Sequence, residues 1–456
     1  MEYLLRFIQT HETFRLPEIQ ALADLEGIPM EVISYSLDSP FCTLKLPDDD
    51  SARRLLSRSI TAKAIYALWG SGPTYPTLHE SVLATSTPWW PQFQGQSFKF
   101  TIDSFQGSRT HADICELINS FAYMSFTGPV ALKNPDMRFC VLEDWAFDAQ
   151  AHGSSTPQHL YLGRLVGTSQ REIVGKYDLK KRRYISTTSM DAELALITAN
   201  IALARPGAIF YDPFVGTGSF PVACAHFGAL AFGSDIDGRA IRGKGGRNLR
   251  ANFAQYDLAP GFGDSFVADL TNSPLRPGRY LDGIVCDPPY GVREGLKVLG
   301  HREKRVGPVY DGPDAHHLQP GYVPPKRPYS FSAMVGDLLA FAAGSLVEDG
   351  RLAFWMPTAN EEEVRLEVPG HPDLELLSVC TQSFNKWSRR LLTYRRRGEG
   401  EVRGALVGID GTKVGGGEVE GGVSADELNP FRKRYFEGFA AKGGEKGGFA
   451  GAGVGE

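Results

Sequence analysis

Residues 208–220 have the sequence AIFYDPFVGTGSF, which joins an apolar segment to a glycine-rich turn. The run Ala208–Tyr211 predicts a buried strand, and the turn Gly216–Gly218 supplies two flexible backbone positions soon after it. Helical spacing over Pro221–Phe227 and a second apolar run, Ala229–Gly233, follow. A strand, a glycine turn, a helix and a second strand predict the opening of an α/β fold with a doubly wound sheet.

Acidic residues follow each predicted strand of this region. The acids and the strands they follow are Asp212 (Ala208–Tyr211), Asp235 and Asp237 (Ala229–Gly233), Asp269 (Ser265–Ala268) and Asp287 (Tyr280–Cys286). Open α/β sheets bind ligands at the carboxyl edge of their strands, so these acids are predicted to line one site. The sheet is predicted to be completed by a helix at Phe331–Leu346 and strands at Arg351–Trp355, Leu374–Cys380 and Arg390–Tyr394.

The glycine turn lacks the features of two common phosphate-binding loops. Pro221 stands where a dinucleotide fingerprint has Gly or Ala, and no lysine follows the turn as in a P-loop. Asp212 would repel a diphosphate but suits a ligand that carries an amino group. Asp235 or Asp237, about 20 residues beyond the turn, is placed to bind two ribose hydroxyls. An amino-bearing nucleoside without phosphates predicts S-adenosylmethionine as the cofactor.

Residues 284–291, IVCDPPYG, end a predicted strand in a carboxylate, two prolines and an aromatic ring. Pro288 and Pro289 cannot donate to a strand ladder, so the backbone leaves the sheet at Asp287 in a rigid turn. An exocyclic amine on a nucleobase is a poor nucleophile because its lone pair is delocalised into the ring. Asp287 can accept one amine hydrogen and the Pro288 carbonyl the other, while Tyr290 stacks on the base. This turn is predicted to hold a planar amine for methyl transfer.

The composition indicates a globular chain of two or three domains, with 456 residues of which 42% are hydrophobic. The most apolar region, 194–204, is shorter than the roughly 18 residues that a membrane span needs, so no membrane partner is expected. Met1–Arg6 has no basic region of the kind that begins a secretory signal. The six cysteines form no CxxC pair, which predicts reduced thiols and no zinc site. His316 and His317 near Asp314 are better explained by a Pro-rich surface loop than by a metal.

The remaining segments differ in composition. Residues 1–167 alternate strand-like and helix-like segments and predict an α+β region without a catalytic constellation. Residues 168–186 hold six basic and two acidic residues and are predicted as a linker to the α/β domain at 187–397. Residues 398–456 contain 18 glycines, which predicts disorder except for a short helix near 426–439.

Local patterns place several elements inside the N-terminal region. Alternation predicts strands and 3.6-residue spacing predicts helices. The predicted elements are strands at Tyr3–Ile8, Phe98–Asp103, Val130–Asp136 and Arg138–Leu142, and helices at Leu16–Leu25 and Ile114–Phe121. An Asn-Pro-Asp turn is expected to join the last two strands.

The quoted motifs resemble those of known methyltransferases. Those that resemble class I amino-methyltransferases are Asp212–Phe220, Asp235–Asp237 and Asp287–Tyr290. Those that resemble the catalytic subunits of eukaryotic tRNA (guanine(10)-N2)-methyltransferases are Thr187–Asp191, Phe232–Arg239, Cys286–Val292 and Phe384–Arg390. The resemblance covers most of residues 1–397, and the glycine-rich tail departs from it except at Leu428–Phe439.

The resemblance implies a Rossmann-like methyltransferase domain preceded by a THUMP-containing, RNA-binding region, with Phe98–Asp103 and Val130–Val141 as THUMP strands. It implies methyl transfer from S-adenosylmethionine to the N2 amine of a guanosine in tRNA, expected at position 10. The implied catalytic residues are Asp287, Pro288, Pro289 and Tyr290, and the implied cofactor-binding residues are Met190, Asp212, Phe214, Gly216, Gly218, Asp235, Ile236, Asp237 and Asp269. It further implies a heterodimer with a small zinc-binding activator subunit. The reduced thiols favour a cytosolic or nuclear setting, and a cytoplasmic location is expected. An exposed edge strand would pair with the activator, and Ser265–Ala268 is the expected contact.

Two basic clusters flank the α/β domain although the chain has a net charge of −5. Phosphate attraction acts within about 8 to 10 Å at physiological salt, so a local patch is sufficient for RNA. Taken alone, each cluster is typical of a solvated linker. With the resemblance, the expected RNA-binding residues are Lys180, Lys181, Arg182, Arg183, Lys386, Arg389 and Arg390.

Two other functions remain open. Adenine-N6 or protein glutamine methylation would use the same Asp-Pro-Pro-Tyr turn, because those acceptors are also planar amines. A non-catalytic RNA-binding scaffold would keep the fold but have a vestigial cofactor site.

Overall fold

The computed structural model describes residues 1–145, 156–291, 296–300, 315, 318–319, 322–359, 368–384 and 387–405. The chain divides into two compact units, Met1–Asp178 and Leu179–Glu456. The division falls within the predicted linker 168–186, which contains two 3-10 turns, Arg171–Gly175 and Leu179–Lys181. The helix predicted in the glycine-rich tail lies outside the described residues.

The N-terminal unit is built on one seven-stranded sheet. Its strands are β1 (Glu2–Phe7), β2 (Glu31–Tyr35), β3 (Phe41–Lys45), β4 (Ala62–Gly72), β5 (Phe98–Phe105), β6 (Met137–Asp144) and β7 (His159–Thr168). Its helices are α1 (Glu12–Glu26), α2 (Asp49–Leu56), α3 (Tyr75–Ser86) and α4 (His111–Asn119). The strand order is β2-β3-β1-β4-β7-β6-β5, in which β5 and β6 are parallel and all other neighbours antiparallel.

Aromatic packing and helix capping stabilise this unit. Trp69 on β4 is 1% exposed, and its ring centre lies 4.8 Å from that of Phe139 on β6. Such a pair contributes about 0.5–1.5 kcal/mol beyond the burial of its apolar surface. Thr74 and Thr110 begin α3 and α4 as capping boxes, so each satisfies backbone donors that the helix leaves unpaired.

The elements predicted from the sequence match three of the seven strands named above (β1, β5 and β6) and two of the four helices (α1 and α4), and one further predicted strand is absent. The predicted strands at Tyr3–Ile8 and Phe98–Asp103 and both predicted helices are present. The predicted strand Val130–Asp136 is wrong, because Val130 makes only an isolated bridge to Phe98. The Asp136 carboxylate instead accepts hydrogen bonds from the backbone and hydroxyl of Ser97, at 3.0 and 2.6 Å, which fixes this loop to the start of β5.

The second unit is also organised around a seven-stranded sheet. Its strands are β8 (Ile209–Asp212), β9 (Leu230–Asp235), β10 (Phe262–Val267), β11 (Leu281–Cys286), β12 (Lys297–Leu299), β13 (Lys326–Pro328), β14 (Leu346–Ala359), β15 (Leu374–Ser383) and β16 (Trp387–Arg396). Its helices are α5 (Ala192–Ile201), α6 (Ser219–His226), α7 (Gly238–Arg242), α8 (Leu249–Gln255) and α9 (Phe331–Ser345). Strands β12 and β13 form a separate antiparallel pair.

The sheet order confirms the predicted doubly wound arrangement. It is β10-β9-β8-β11-β14-β16-β15, with the first five strands parallel and β16 antiparallel to both of its neighbours. From β8 the chain builds outward through β9 and β10, and it then crosses to β11 on the other side. This reversal creates a switch point beside β8, where open sheets bind their ligands.

Two short helices, α7 and α8, were not predicted from the sequence. They have five and seven residues, too few for a helical repeat to be recognised. Within the described part of the chain, no helix has the length and apolarity that crossing a membrane requires.

Candidate active site

A cavity of about 360 Å³ lies at the carboxyl edge of the second sheet. Of the predicted cofactor residues, those in its wall are Met190, Asp212, Phe214, Gly216, Asp235, Ile236 and Asp269. All four residues of the predicted catalytic turn, Asp287–Tyr290, share the same wall. Gly218 and Asp237 are not part of it, so the structure brings most, but not all, of the predicted residues together.

The glycine turn, Val215–Gly218, connects β8 to α6 and depends on two left-handed residues. Gly216 has φ 48° and Gly218 has φ 82°, which other residues adopt only with strain. A Cβ on Gly218 would lie 1.9 Å from Cδ1 of Leu249. Gly216 donates its backbone N–H to Oδ2 of Asp235 at 3.0 Å. Gly218 therefore acts through packing, while Gly216 lies at the cavity and orients an acid.

Two acids, the buried Asp212 and the half-buried Asp235, line the cavity. Asp212 is 1% exposed, and its carboxylate accepts a 2.9 Å hydrogen bond from the backbone of Phe214. Asp235 accepts hydrogen bonds from the backbones of Gly216 and, at 2.8 Å, Asp237. Burial raises the pKa of both acids, and the charges of Asp235 and Asp287 raise the pKa of Asp212 further. A cationic ligand in the cavity would offset this repulsion.

Asp237 and Asp269 are used differently. Asp237 caps α7 and holds the Arg239 guanidinium at 2.8 Å, which lowers the pKa of the Asp237 carboxyl. Asp269 lines the cavity, but its two oxygens accept hydrogen bonds from Thr271 and Leu299 at 3.0 and 2.7 Å. Of the pair left open by the sequence, Asp235 is therefore the acid that faces the cavity.

The predicted catalytic turn, Asp287–Tyr290, carries an internal hydrogen bond. The Tyr290 hydroxyl donates to Oδ1 of Asp287 at 2.5 Å. Burial raises the pKa of Asp287 to about 6, against the opposing effects of this hydrogen bond and of the Arg389 charge. The Tyr290 ring packs edge-on against Trp387, with ring centres 6.2 Å apart. With a pKa of about 6, most Asp287 carboxyls are ionised near pH 7. The tyrosine that binds this carboxylate is itself packed against Trp387.

Two of the basic residues predicted near the C-terminal end of the domain, Arg389 and Arg390, lie in β16. Arg389 donates to Gln382 at 2.6 Å, and its guanidinium lies 4.8 Å above the Trp355 ring. Its charge acts on the catalytic turn, as the pKa of Asp287 indicates. Arg390 is half-buried on the same strand. Lys386 lies outside the described residues.

The basic residues before the domain separate into two groups. Lys180, Lys181 and Arg183 are exposed, whereas Arg182 is 5% exposed. The Arg182 guanidinium donates to the Ser219 hydroxyl at 3.0 Å, and that hydroxyl donates to the carbonyl of Met190 at 3.1 Å. The expectation that Arg182 contacts RNA is not supported by this position, because a buried guanidinium behind the cavity wall supports Met190 instead.

Several wall residues were not selected from the sequence. The hydroxyls of Ser189 and Thr217 form a 2.7 Å hydrogen bond beside the glycine turn. Tyr329 and Met334, at the start of α9, close the wall from the other side. Ser189 lies in the Thr-Thr-Ser-Met segment at 187–190 and Thr217 lies in the glycine turn, so both had a sequence signal, whereas Tyr329 and Met334 lie outside the quoted motifs. Within the described ranges, no three or more His, Cys, Asp or Glu side chains are grouped so that they could hold a metal ion. His316 and His317 lie outside these ranges.

Comparison with known proteins identifies the family. A model described as the Tmrp11 THUMP N-terminal domain matches residues 1–171, and one described as an RMKL-like methyltransferase domain matches residues 180–300. The tRNA (guanine(10)-N(2))-methyltransferase of Saccharomyces cerevisiae is 42% identical over 447 residues, covering 96% of this chain and 99% of that protein. The chain belongs to the tRNA (guanine(10)-N(2))-methyltransferase family.

Other members are similar over comparable lengths. The Schizosaccharomyces pombe protein is 39% identical over 86% of this chain and 89% of its own, and the Homo sapiens protein is 37% identical over 96% and 95%. Among solved structures, "Crystal structure of TrmN from Thermus thermophilus" aligns with a TM-score of 0.41 at 18% identity, covering 87% of this chain and all of that one. The family, the fold class and the enzyme class predicted from the sequence are confirmed.

S-adenosylmethionine is the cofactor of this family, as predicted. The cavity fits it in size and charge. Its volume of about 360 Å³ is within the range of small-molecule sites. Its described wall contains four aspartates and one lysine, Lys297, which favours a ligand with positive sulfonium and amino groups.

Proposed function

We propose that this chain transfers a methyl group from S-adenosylmethionine to the exocyclic N2 amine of guanosine 10 in tRNA. One observation carries the proposal. The Asp287–Tyr290 turn and the acid-lined cavity share one wall, in a chain that matches tRNA (guanine(10)-N(2))-methyltransferases over nearly its full length. An amine-binding turn beside a cofactor cavity is the arrangement that amino-methyl transfer needs.

When bound, S-adenosylmethionine supplies an electrophilic methyl group on a sulfonium. The chain's own residues hold the amine. Oδ1 of Asp287 is engaged by Tyr290, so Oδ2 remains to accept one amine hydrogen, and the carbonyl of Pro288 would accept the other. These two acceptors favour a pyramidal nitrogen whose lone pair points at the methyl group. The N–C bond would form as the methyl–sulfur bond breaks and its electron pair returns to the sulfur, which becomes a neutral thioether. The nitrogen would then lose one proton, which Asp287 accepts and passes to water.

The extruded base would stack on Tyr290. This ring is half-buried and is supported from the side by Trp387, so it is a fixed platform. Base–aromatic stacking contributes about 1–3 kcal/mol per base in nucleic-acid complexes. A guanine held by stacking and by two acceptors would be correctly oriented without a metal ligand or a covalent intermediate.

We assign residues 1–167 to an RNA-binding region with a THUMP domain, residues 168–186 to a basic linker and 187–397 to the methyltransferase domain. The N-terminal region would deliver tRNA, and Lys180, Lys181, Arg183, Lys386 and Arg390 would contact phosphates. The exposure of the first three supports this part of the assignment. Cytoplasmic tRNA is the expected substrate.

The active form would be a heterodimer with a small zinc-binding activator subunit. Strand β10 is the expected contact because it ends the sheet and Val267 on it is 50% exposed. Val267→Glu should prevent copurification with the activator. Leu377→Glu, on the opposite edge strand β15, is the matched control and should leave copurification unchanged. Equal behaviour of the two variants would exclude β10 as the contact.

The proposal is tested by methyl transfer with purified components. The chain, coexpressed with its activator, is incubated with unmodified tRNA and labelled S-adenosylmethionine, and the products are digested to nucleosides. N2-methylguanosine is expected, and it should disappear when guanosine 10 is replaced by adenosine. N6-methyladenosine among the nucleosides, or label recovered in protein as methylated glutamine, would favour the alternative acceptors. Absence of S-adenosylmethionine binding would favour the RNA-binding scaffold.

A further inference from the structure

A second basic region, not selected from the sequence, surrounds the connection between α7 and α8. Residues 238–250 contain five basic residues and no acidic one, namely Arg239, Arg242, Lys244, Arg247 and Arg250, and all five are exposed. Arg239 and Arg250 pair with Asp237 and Asp264 at 2.8 and 3.9 Å. Among the described residues, no ion pair involves Arg242, Lys244 or Arg247. Three exposed charges are therefore available to a ligand.

Two of these charges, Lys244 and Arg247, lie on a tight hairpin, residues 243–247, which we call the basic hairpin, and the third, Arg242, ends α7 directly before it. Lys244 and Arg247 exchange two backbone hydrogen bonds of 3.0 and 3.1 Å. Gly245 and Gly246 between them have φ 59° and 75°, the positive values that a type I′ turn requires at both central positions. Because the backbone is already fixed, binding through this hairpin orders fewer bonds than binding through an irregular loop.

The basic hairpin is fixed to the catalytic edge of the sheet. It leads into α8, whose first residue, Leu249, occupies the space next to Gly218 of the glycine turn. Asn252 on α8 donates its side-chain amide to the carbonyls of Thr217 and Tyr184, at 3.1 and 2.7 Å. The hairpin and the cavity wall are therefore parts of one packed structure.

The other end of α8 contacts the basic segment predicted from the sequence. Gln255, the last residue of the helix, accepts from the backbone of Arg183 at 2.9 Å and donates to the carbonyl of Lys181 at 2.7 Å. A helix of seven residues is only about 10 Å long. The hairpin and the segment 180–183 therefore flank one short helix on the catalytic unit.

We infer that the basic hairpin and the segment 180–183 form one phosphate-binding surface that positions the RNA substrate beside the active site. The inference rests on the proposed function and specifies where the catalytic unit contacts its substrate. Lysines, arginines and exposed backbone N–H groups are the usual ligands of RNA phosphates. A protein partner would instead need an apolar or aromatic anchor at its centre, and the hairpin between Gly243 and Arg247 contains none.

The test compares two double variants of the full chain bound to its activator. The first, Arg242→Gln/Arg247→Gln, removes two charges from the proposed surface. The control, Arg276→Gln/Arg279→Gln, removes two exposed charges just before β11, at the amino ends of the parallel strands. Binding of unmodified tRNA is measured at several salt concentrations, together with KM and kcat. The first variant should weaken tRNA binding roughly tenfold and reduce the slope of log K against log[salt] by about 2. Its kcat and its affinity for S-adenosylmethionine should stay unchanged.

Each outcome separates this inference from the proposed function. If the parent chain binds and methylates tRNA and both double variants have the same tRNA affinity as the parent, the proposed surface is refuted and the proposed function stands. If the hairpin variant loses its activator while its tRNA affinity is preserved, the surface binds protein and the inference is overturned. If the unmodified chain does not bind tRNA at all, the proposed function and the inference fail together.

Discussion

The Tyr290 hydroxyl donates a hydrogen bond to Oδ1 of Asp287, three residues earlier in the same turn. The ring proposed to stack on the base therefore also holds the carboxylate proposed to bind its amine. The hydrogen bond lowers the pKa of Asp287, as does the charge of Arg389, while burial raises it to about 6. Catalysis should consequently depend on how these groups keep Asp287 ionised.

Replacing Tyr290 by Phe should move the acidic limb of the kcat profile to higher pH. The ring remains available for stacking, but the hydrogen bond that lowers the pKa of Asp287 is lost. A smaller fraction of Asp287 is then ionised at pH 6, so kcat should fall about threefold to tenfold there and change little at pH 8. Tyr329→Phe, which removes another cavity hydroxyl, one bonded to Asp337, is the control. An identical shift in both variants would refute the role of Tyr290.

Asp235→Asn should weaken S-adenosylmethionine binding much more than Asp237→Asn. Asp235 faces the cavity, whereas Asp237 is engaged with Arg239 outside the wall. Charge-assisted hydrogen bonds contribute about 1.5–3 kcal/mol, so a loss of roughly 10- to 100-fold in affinity is expected for Asp235→Asn. Calorimetric titration measures both. The reverse order would identify Asp237 as the ribose ligand.

Gly218→Ala should destabilise the second unit more than Gly207→Ala. Both glycines have φ near 80°, so both variants carry a backbone strain of about 1 kcal/mol. Only at Gly218 would the new Cβ meet a neighbour, Leu249, and this adds roughly 1–3 kcal/mol. Urea unfolding gives the two free energies. Equal values would mean that Leu249 moves aside without cost.

Arg182→Gln and Arg183→Gln should change different properties of the protein. The buried Arg182 supports Ser219 and Met190, so its loss should lower the unfolding free energy by about 1–3 kcal/mol and weaken cofactor binding. The exposed Arg183 should affect only tRNA affinity and its salt dependence. Thermal unfolding and tRNA binding are measured on both. Weaker tRNA binding by Arg182→Gln with unchanged stability and cofactor affinity would restore the original assignment.

The sequence predicted the fold of the second unit because its signals are local. The strand, glycine turn and helix at 208–227 follow one another within 20 residues. The strand and the helix are recognised by their patterns of apolar residues, and the turn by its glycines. The acids at strand ends converge because parallel strands share an edge, so Asp212, Asp235 and Asp287 could be grouped without coordinates.

What the sequence did not predict depends on burial and on contacts between distant segments. Arg182 and Arg183 are adjacent and chemically identical, but only packing against Ser219 places the first inside. Asp235 and Asp237 are two residues apart, and only the capping of α7 turns the second away from the cavity. The charges of the basic hairpin are separated by glycines in the sequence, and its connection to segment 180–183 depends on the contacts of α8 with that segment.

The most direct test of the proposed reaction is nucleoside mass spectrometry of tRNA from cells that lack this protein. We expect N2-methylguanosine to be missing at position 10, to return when the parent chain is supplied and to stay missing with Asp287→Ala. That variant should still bind tRNA, since Asp287 is proposed to hold the amine and not a phosphate. Persistence of N2-methylguanosine at position 10 in the deleted cells, or its restoration by Asp287→Ala, would contradict the account.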